Sequence, residues 1–500
     1  MREQNRNARR RRSAPGLAVI VGAVIALLLL PGGMLFAQST QGRSASASAN
    51  GPMKLSITQA VQDALSHSSD LRSALAAAGS AQFKALEAKL QMLPSVSLSG
   101  SYAYLSSLPA SDSSITLPLP AALGGPTKIT IPTQQNTFSF GVSVSYPVFA
   151  GFRLLEAAKI AALQASSSQV ATAIVKNALT FEVERAYWES VLATENVTTM
   201  QKNLELSQVL LKQTKAELDQ GLATESDFLS AQEGYNQAQI MLADSISARN
   251  QAFLALSSLL GQDSLGASLA QSGSGGFSAS SPVAYSFATS PTSDLYPQLS
   301  GALDPSKLVQ EALANRPEVQ TATLGVETAK SAQKAAQGAL YPTLALIGNY
   351  TYASPNQRAP YAPADTFVGT WDVGVALSID VGKLPANAAG ALSQARDLSK
   401  AEAQAASERT SVVLDVRKSL LAYEQARQDL ALTKSMVPQA EENLRVTRQK
   451  FANGLAKHSD VLQAELALLR AQFAVTNQQV NEQISAADLA RAVAIGGALK

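Results

Sequence analysis

The feature that most limits how this chain can fold is a pair of alternating strands that occurs twice. The first pair is PSVSLSGSYAY from Pro94 and TFSFGVSVSYPVF from Thr137; the second is PTLALIGNYTY from Pro342 and TWDVGVALSIDVG from Thr370. Val96, Leu98, Tyr102 and Tyr104 alternate with small or polar residues, and Leu344, Leu346, Tyr350 and Tyr352 repeat the pattern. Phe138, Phe140, Val142, Val144 and Tyr146 do the same in the second strand, as do Trp371, Val373, Val375, Leu377 and Ile379. A period of two with apolar residues on one side marks a strand with one greasy face. The rest of the sequence reads as helix, so four strands stand alone. Left open, they expose two edges and an aromatic face. In lipid a spanning sheet must close, and spanning barrels need about eight strands or more, each of about 9–11 residues. One chain supplies too few, so closure demands further copies, about eight strands in a dimer and about twelve in a trimer. An eight-stranded barrel is filled by its own side chains, so a conduit favours the larger ring. Its polar lining would be Ser95, Ser97, Ser99, Ser101, Thr137, Ser139, Ser143 and Asp372. The alternative is a sheet packed inside a helical protein.

The duplication extends beyond the strands. Leu55 to Leu71 aligns with Leu303 to Val319 at an offset of 248, which the first strands keep; the second strands sit at 233. The missing 15 residues fall in the connection between strands, 106–136 in the first copy and 354–369 in the second. Both connections carry Pro, Ser, Ala and Gly and read as exposed loops. After each strand pair runs a long helical segment, 152–219 and 384–453. At 1.5 Å per residue each is about 100 Å long. A seven-residue ladder descends the first: Val183, Val197, Leu204, Leu211, Leu218. The second carries Val416, Tyr423, Leu430, Val437, Leu444 and Phe451, with Tyr423 at the rung that is Ser190 in the first copy. Each helix turns at a Gly and returns along 222–260 or 457–496, through Phe228, Tyr235 and Leu242 or Val461, Leu468 and Val475. That spacing predicts antiparallel coiled-coil hairpins. Pro438 is expected to kink or interrupt the second long helix. The domain plan is therefore a first repeat over 55–261, a Ser/Gly-rich linker or flap over 262–302, and a second repeat over 303–500.

Residues 1–12 carry six Arg and one Glu, followed by an apolar run from Leu17 to Leu30 and a small-residue site near Ala37. This reads as a secretory signal peptide over 1–37, with an inner-membrane anchor as the alternative and 38–54 as a flexible N-terminal segment. Its removal takes the net charge from +2 to −3. No basic patch points to nucleic acid. With no Cys and two His, disulfides, thiolate sites and histidine metal centres are not expected. No nucleotide-binding, hydrolase or zinc-protease motif occurs, so neither an enzyme nor a cofactor is expected. A secreted structural coiled-coil or surface protein without channel activity is the alternative function.

Taken together, L-P-S-V-S-L-S at Leu93 to Ser99, Y-P-V-F-A-G-F at Tyr146 to Phe152, and the turns G-L-A-x-x-S-D at Gly221 and Gly454 resemble the TolC-type outer-membrane efflux family. The resemblance covers Leu55 to about Ala494. It implies a mainly α fold with a β-barrel contribution: long antiparallel helical hairpins and four strands per chain. In a homotrimer these would close as a twelve-stranded barrel in outer-membrane lipid, continued by a twelve-helix periplasmic tunnel. It also implies an exit duct that docks to a periplasmic adaptor and an inner-membrane transporter, in an efflux or type I secretion system. The second copy departs from the strand-to-helix motif, reading Asp380-Val381-Gly382-Lys383 where the first has Pro147-Val148-Phe149-Ala150.

Conduction needs pore-lining and docking residues rather than catalytic ones. In the hairpin turns, Gly221 and Gly454 read as helix C-caps with positive φ. Thr224 or Ser226, and Ser459, read as N-caps, with Asp227 and Asp460 favouring the helix dipole. In a functional reading, Leu222 and Leu455 are exposed apolar tips for an adaptor, with Gly221, Ser226, Gly454 and Ser459 around them. Asp227 and Asp460, repeated in a trimer, would form an acidic, cation-selective constriction. The resemblance places acidic residues after the second turn at the entrance; Asp460 fits the first such position, while the second is Gln463. Lys457 and Arg448 are candidate basic partners for a closed state. Tyr102, Tyr104, Tyr146, Phe149, Tyr350, Tyr352 and Trp371 are candidates for aromatic girdles at the lipid interfaces.

Overall fold

The computed structural model describes residues 53–106, 114–118, 127–130, 135–261, 285–290, 295–299, 301, 303–356, 358 and 366–495. The expected signal peptide and most of the expected linker lie outside them. Strand β1 (Met53–Leu55) is followed by helices α1 (Ile57–His67) and α2 (Ser69–Leu90). Then come β2 (Ser95–Tyr104), β3 (Ser114–Leu117), β4 (Thr127–Thr130) and β5 (Asn136–Phe149). The first hairpin is α3 (Arg153–Asp219) and α4 (Glu225–Leu259). A short strand β6 (Tyr285–Phe287) precedes the second copy. That copy runs α5 (Pro305–Asn315), α6 (Pro317–Gly338), β7 (Thr343–Ser354), β8 (Val368–Ser378), α7 (Leu384–Ala452) and α8 (His458–Val493). The connection between β2 and β5, expected as plain loop, contains the antiparallel β3–β4 pair.

The short helices begin where their caps dictate. Ser56 and Gln59 form a capping box at α1, each satisfying the other's backbone N–H. Ile57, Ala60, Val61 and Ala64 then bury one face at helical spacing. At α5, Asp304 accepts the Ser306 N–H and Pro305 fills the first turn.

These helices bury their faces against the middle of the long ones, making two equivalent cores. One holds Ile57, Val61, Val183, Tyr187, Trp188 and Leu256; the other holds Leu308, Ala312, Val416, Leu420, Tyr423 and Leu489. Val183 and Val416 are both fully buried, 233 residues apart. The first core is crossed by β6, which pairs in parallel with β1. The differing rung has a local reason. Ser190 donates its hydroxyl to Ala186 O at 2.7 Å and to Ala252 O at 3.3 Å on the returning helix, whereas Tyr423 reaches Leu299 O at 3.4 Å.

Toward the turns, the expected ladder is joined by one that sequence reading missed. Ser207 and Thr214 of α3, and Ala231, Ala238 and Ser245 of α4, are buried at the same spacing of seven. Small residues let the two backbones pack closely. Helix α7 continues through Pro438, so of the expected kink or interruption the interruption does not occur. Among the described residues no helix is long and apolar enough to cross a membrane.

The four long strands form one antiparallel sheet in the order β2-β5-β7-β8. The two copies therefore join through β5 and β7, leaving β2 and β8 as the edges.

Candidate functional site

Register sorts the sheet into two chemically opposite faces. On one, Leu98, Val142, Tyr350 and Trp371 stand in a row across all four strands, beside Val96, Val144, Gly348 and Val373. On the other, Ser97, Ser143, Asn349 and Asp372 form a row, next to Ser99, Gly141, Thr351 and Thr370. All eight residues expected to line a channel fall on this second face. Ser97 Oγ and Ser143 Oγ lie 3.1 Å apart, and Asn349 Nδ2 donates to Asp372 Oδ2 at 2.9 Å. A hydroxyl-rich wall can hydrogen-bond water or a passing solute of either charge.

The apolar face is open to the surroundings. Trp371 is 72% exposed and Leu98 is 83% exposed. Such a face in water is an aggregation surface, whereas lipid covers it without cost. The expected interface aromatics fall in two groups. Tyr102, Tyr104, Tyr350, Tyr352 and Trp371 sit toward the end remote from the long helices; Tyr146 and Phe149 sit at the helical end. The Tyr102 ring packs 4.8 Å from Phe138, and the Tyr102 hydroxyl donates to Asn136. A bulge between Pro147 and Phe149 sets Phe149 opposite Leu344, bringing it onto the apolar row that simple alternation would deny it.

At the opposite end of the helices, both hairpin turns use the same device. Gly221 and Gly454 have φ of 72° and 71°. Leu222 N–H bonds Glu217 O, and Leu455 N–H bonds Lys450 O, both at 2.8 Å. These are Schellman caps. Their following residue usually packs back on its helix, yet Leu222 is 75% exposed and Leu455 is 77% exposed. The N-caps differ from expectation. Thr224, not Ser226, caps α4: its hydroxyl accepts Asp227 N–H at 3.2 Å, and Asp227 Oδ2 accepts Thr224 N–H at 2.9 Å. In the second hairpin the cap position is Lys457, and Ser459 lies inside α8. Lysine has no acceptor, so only half the box forms, with Asp460 Oδ2 accepting Lys457 N–H at 2.9 Å.

Both candidate constriction carboxylates are thus fixed at helix N-termini. The Thr224 backbone N–H and hydroxyl, with a smaller contribution from the Lys457 charge, hold the Asp227 carboxyl below the usual range. Arg448 pairs across its own hairpin, with Nη2 2.7 Å from Glu465 Oε1.

Two polar groupings, each built around one buried charged residue, escaped the sequence reading. Tyr296 donates to Glu184 Oε2 at 2.5 Å, while Glu184 Oε1 has no hydrogen-bond partner. Burial pushes the Glu184 carboxyl up, only partly offset by that bond. Arg316, 6% exposed, reaches Asp415 at 2.6 Å and Glu318 at 3.1 Å, and Arg491 adds a contact to Asp488 at 2.7 Å. Burial raises the Glu318 carboxyl, but its bonds to Arg316 outweigh this and hold it low. The only available signals were a Glu standing in the apolar pattern of its helix and an Arg at the junction between two helices. Among the described residues, no cluster of His, Cys, Asp or Glu could hold a metal ion.

The sequence profile of the outer membrane efflux protein family matches residues 60–262 and 308–494. Curated proteins gave no match. Solved structures with the same fold include the open state of the Neisseria gonorrhoeae MtrE outer membrane channel. It is 18% identical with a TM-score of 0.68, and the match covers 89% of each chain. The Campylobacter jejuni CmeC outer membrane channel is 15% identical, with a TM-score of 0.67 and 91% of each chain covered. The Vibrio cholerae outer membrane protein VceC is 18% identical, with a TM-score of 0.65, covering 89% of this chain and 97% of its own. With a two-faced sheet, long helical hairpins and a profile match over most of its length, the chain belongs to the outer membrane efflux protein family.

Proposed function

We propose that three copies of this chain close into one exit duct, which receives substrate from an inner-membrane pump through a periplasmic adaptor. The observation that carries this reading is an imbalance between the two repeats. Helix α3 of the first repeat packs against α8 of the second within one chain. The surfaces equivalent to these, on α7 and α4, carry apolar residues that are exposed. Trp188 is 1% exposed, but Leu421 at the same place in the second repeat is 66% exposed. Leu462 is 3% exposed and its counterpart Leu229 is 55% exposed. A neighbouring copy would cover them, with α7 of one protomer meeting the partner's α4 as α3 meets α8. Such a heterologous contact closes a ring. The same ring would join the β2 edge of one protomer to the β8 edge of the next, removing both edges. Asp227 and Asp460 would then repeat around the far end as an acidic constriction, and Leu222 and Leu455 would meet the adaptor.

Membrane fractionation with a heated and unheated gel tests the oligomer, and planar-bilayer recording tests the duct. A detergent-soluble, heat-dissociable oligomer that conducts ions is expected. A soluble single subunit, or an oligomer that never conducts, would instead support a structural coiled-coil protein.

A further inference from the structure

Asp372 is the only acidic or basic residue in the four long strands. It stands on the hydroxyl-rich face, and its charge is met from outside the sheet. Arg358, in the connection from β7 to β8, places Nη2 3.6 Å from Asp372 Oδ1. Its Nη1 also donates to Trp371 O at 3.1 Å.

This arginine is held in place. Its backbone N–H donates to Asn356 Oδ1 at 2.9 Å. Asn356 is 5% exposed, and its Nδ2 donates to Val368 O at 2.8 Å and Thr370 Oγ1 at 3.2 Å. Thr370 and Asp372 share the polar face, so Asn356 and Arg358 fold back over that face instead of leaving the sheet. Strand β7 follows α6 and β8 leads toward α7, so their connection lies at the end remote from the helices.

We propose that Arg358 and Asp372 form a charge-compensated filter on the channel wall near its outer end, each cancelling the other's charge so that this end favours neither cations nor anions. The assignment rests on the trimeric barrel described above, which would hold the pair three times. The two side chains are 58% and 42% exposed, so they face water and are open to passing ions. An exposed pair of this kind contributes little to stability, so its purpose is not explained by folding. Rings of fixed charge in a pore repel ions of their own sign. With both partners present the ring is neutral overall. Loss of either leaves the other unpaired in every subunit.

The test is the reversal potential in a potassium chloride gradient across a planar bilayer. The parent channel carries Asp227→Asn and Asp460→Asn, so the hairpin carboxylates add no selectivity. Arg358→Ala is expected to raise the potassium-to-chloride permeability ratio by roughly twofold or more, and Asp372→Asn to lower it by a similar factor. The double substitution should return the parent ratio, and Arg358→Lys should keep it. Conducting single variants with an unchanged ratio would overturn the filter while leaving the duct intact. Failure of both the parent and the unsubstituted channel to conduct would overturn the barrel itself, and the filter with it.

Discussion

Gly151 and Gly338 meet so closely that a Cβ built on either would lie 2.1 Å from the other's carbonyl oxygen. Gly151 has a φ of 61° and sits in the turn between β5 and α3; Gly338 closes α6 just before β7. Strands β5 and β7 are neighbours. The contact therefore fixes how the two repeats enter the sheet together, at the boundary between strands and helices.

Alanine at either glycine should be disruptive. Gly338→Ala adds overpacking worth about 1–3 kcal/mol. Gly151→Ala adds left-handed backbone strain of about 1–2 kcal/mol to a similar clash. On gels of unheated samples, both variants should give less oligomer than wild type, and Gly151→Ala the least. Yields equal to wild type would refute a tight junction.

Leu222→Ser and Leu455→Ser should reduce export in cells while the oligomer persists on gels, because neither side chain is buried within its own chain. In vivo cross-linking to the adaptor from a photoreactive residue at position 223 should fall in parallel. Undiminished export in the double variant would remove these tips from the docking surface.

The hairpin carboxylates allow charge and capping to be separated. Asp460→Asn keeps an oxygen that can accept the Lys457 N–H, so the helix start survives and only the charge is lost. Cation preference should fall without loss of oligomer. Asp227 is held below the ordinary aspartate value of about 3.9, so its charge persists through mild acid. The cation preference left to Asp227 in the Asp460→Asn variant should therefore fade only below that range. Loss of preference near pH 6 would point to a different group.

Glu184 makes the opposite prediction. Burial raises its folded-state value above the unfolded value of about 4.3, so the folded protein holds the proton more tightly. Its contribution to stability is greatest below the unfolded value and declines as pH rises through the raised one. Glu184→Gln cannot titrate and should not share that decline. Melting profiles of the two proteins across acid to alkaline pH should diverge as pH rises; parallel profiles would contradict the assignment.

How much was legible in the sequence depended on periodicity. The two strand faces and the heptad ladders repeat at fixed spacing, so Val183 and Val416 could be placed in equivalent cores. The glycine turns were legible because positive φ strongly selects Gly221 and Gly454. Single contacts across distant segments carry no such spacing. Nothing local links Gly151 to Gly338, Glu184 to Tyr296, or Arg358 to Asp372. Ser459 looked like a cap because serine is a good one. The turn after Gly454 has the same length as the turn after Gly221, so backbone geometry assigns the position of Thr224 to Lys457. The small-residue ladder through Ala231 and Ala238 was missed because only large apolar residues were followed.

Closure of the barrel requires the two sheet edges to meet between copies, which cysteine cross-linking across them reads out. The chain has no Cys of its own. One cysteine at Ser97 on β2 is combined with a second stepped along β8 from Val368 to Ser378. Within one sheet these edges are three strand spacings apart, about 14 Å, beyond the roughly 7 Å that a disulfide can bridge. Oxidation in membranes is predicted to give linked species of two and three chains at a subset of β8 positions. Monomer alone at every position would mean that the β2 and β8 edges of neighbouring copies do not meet.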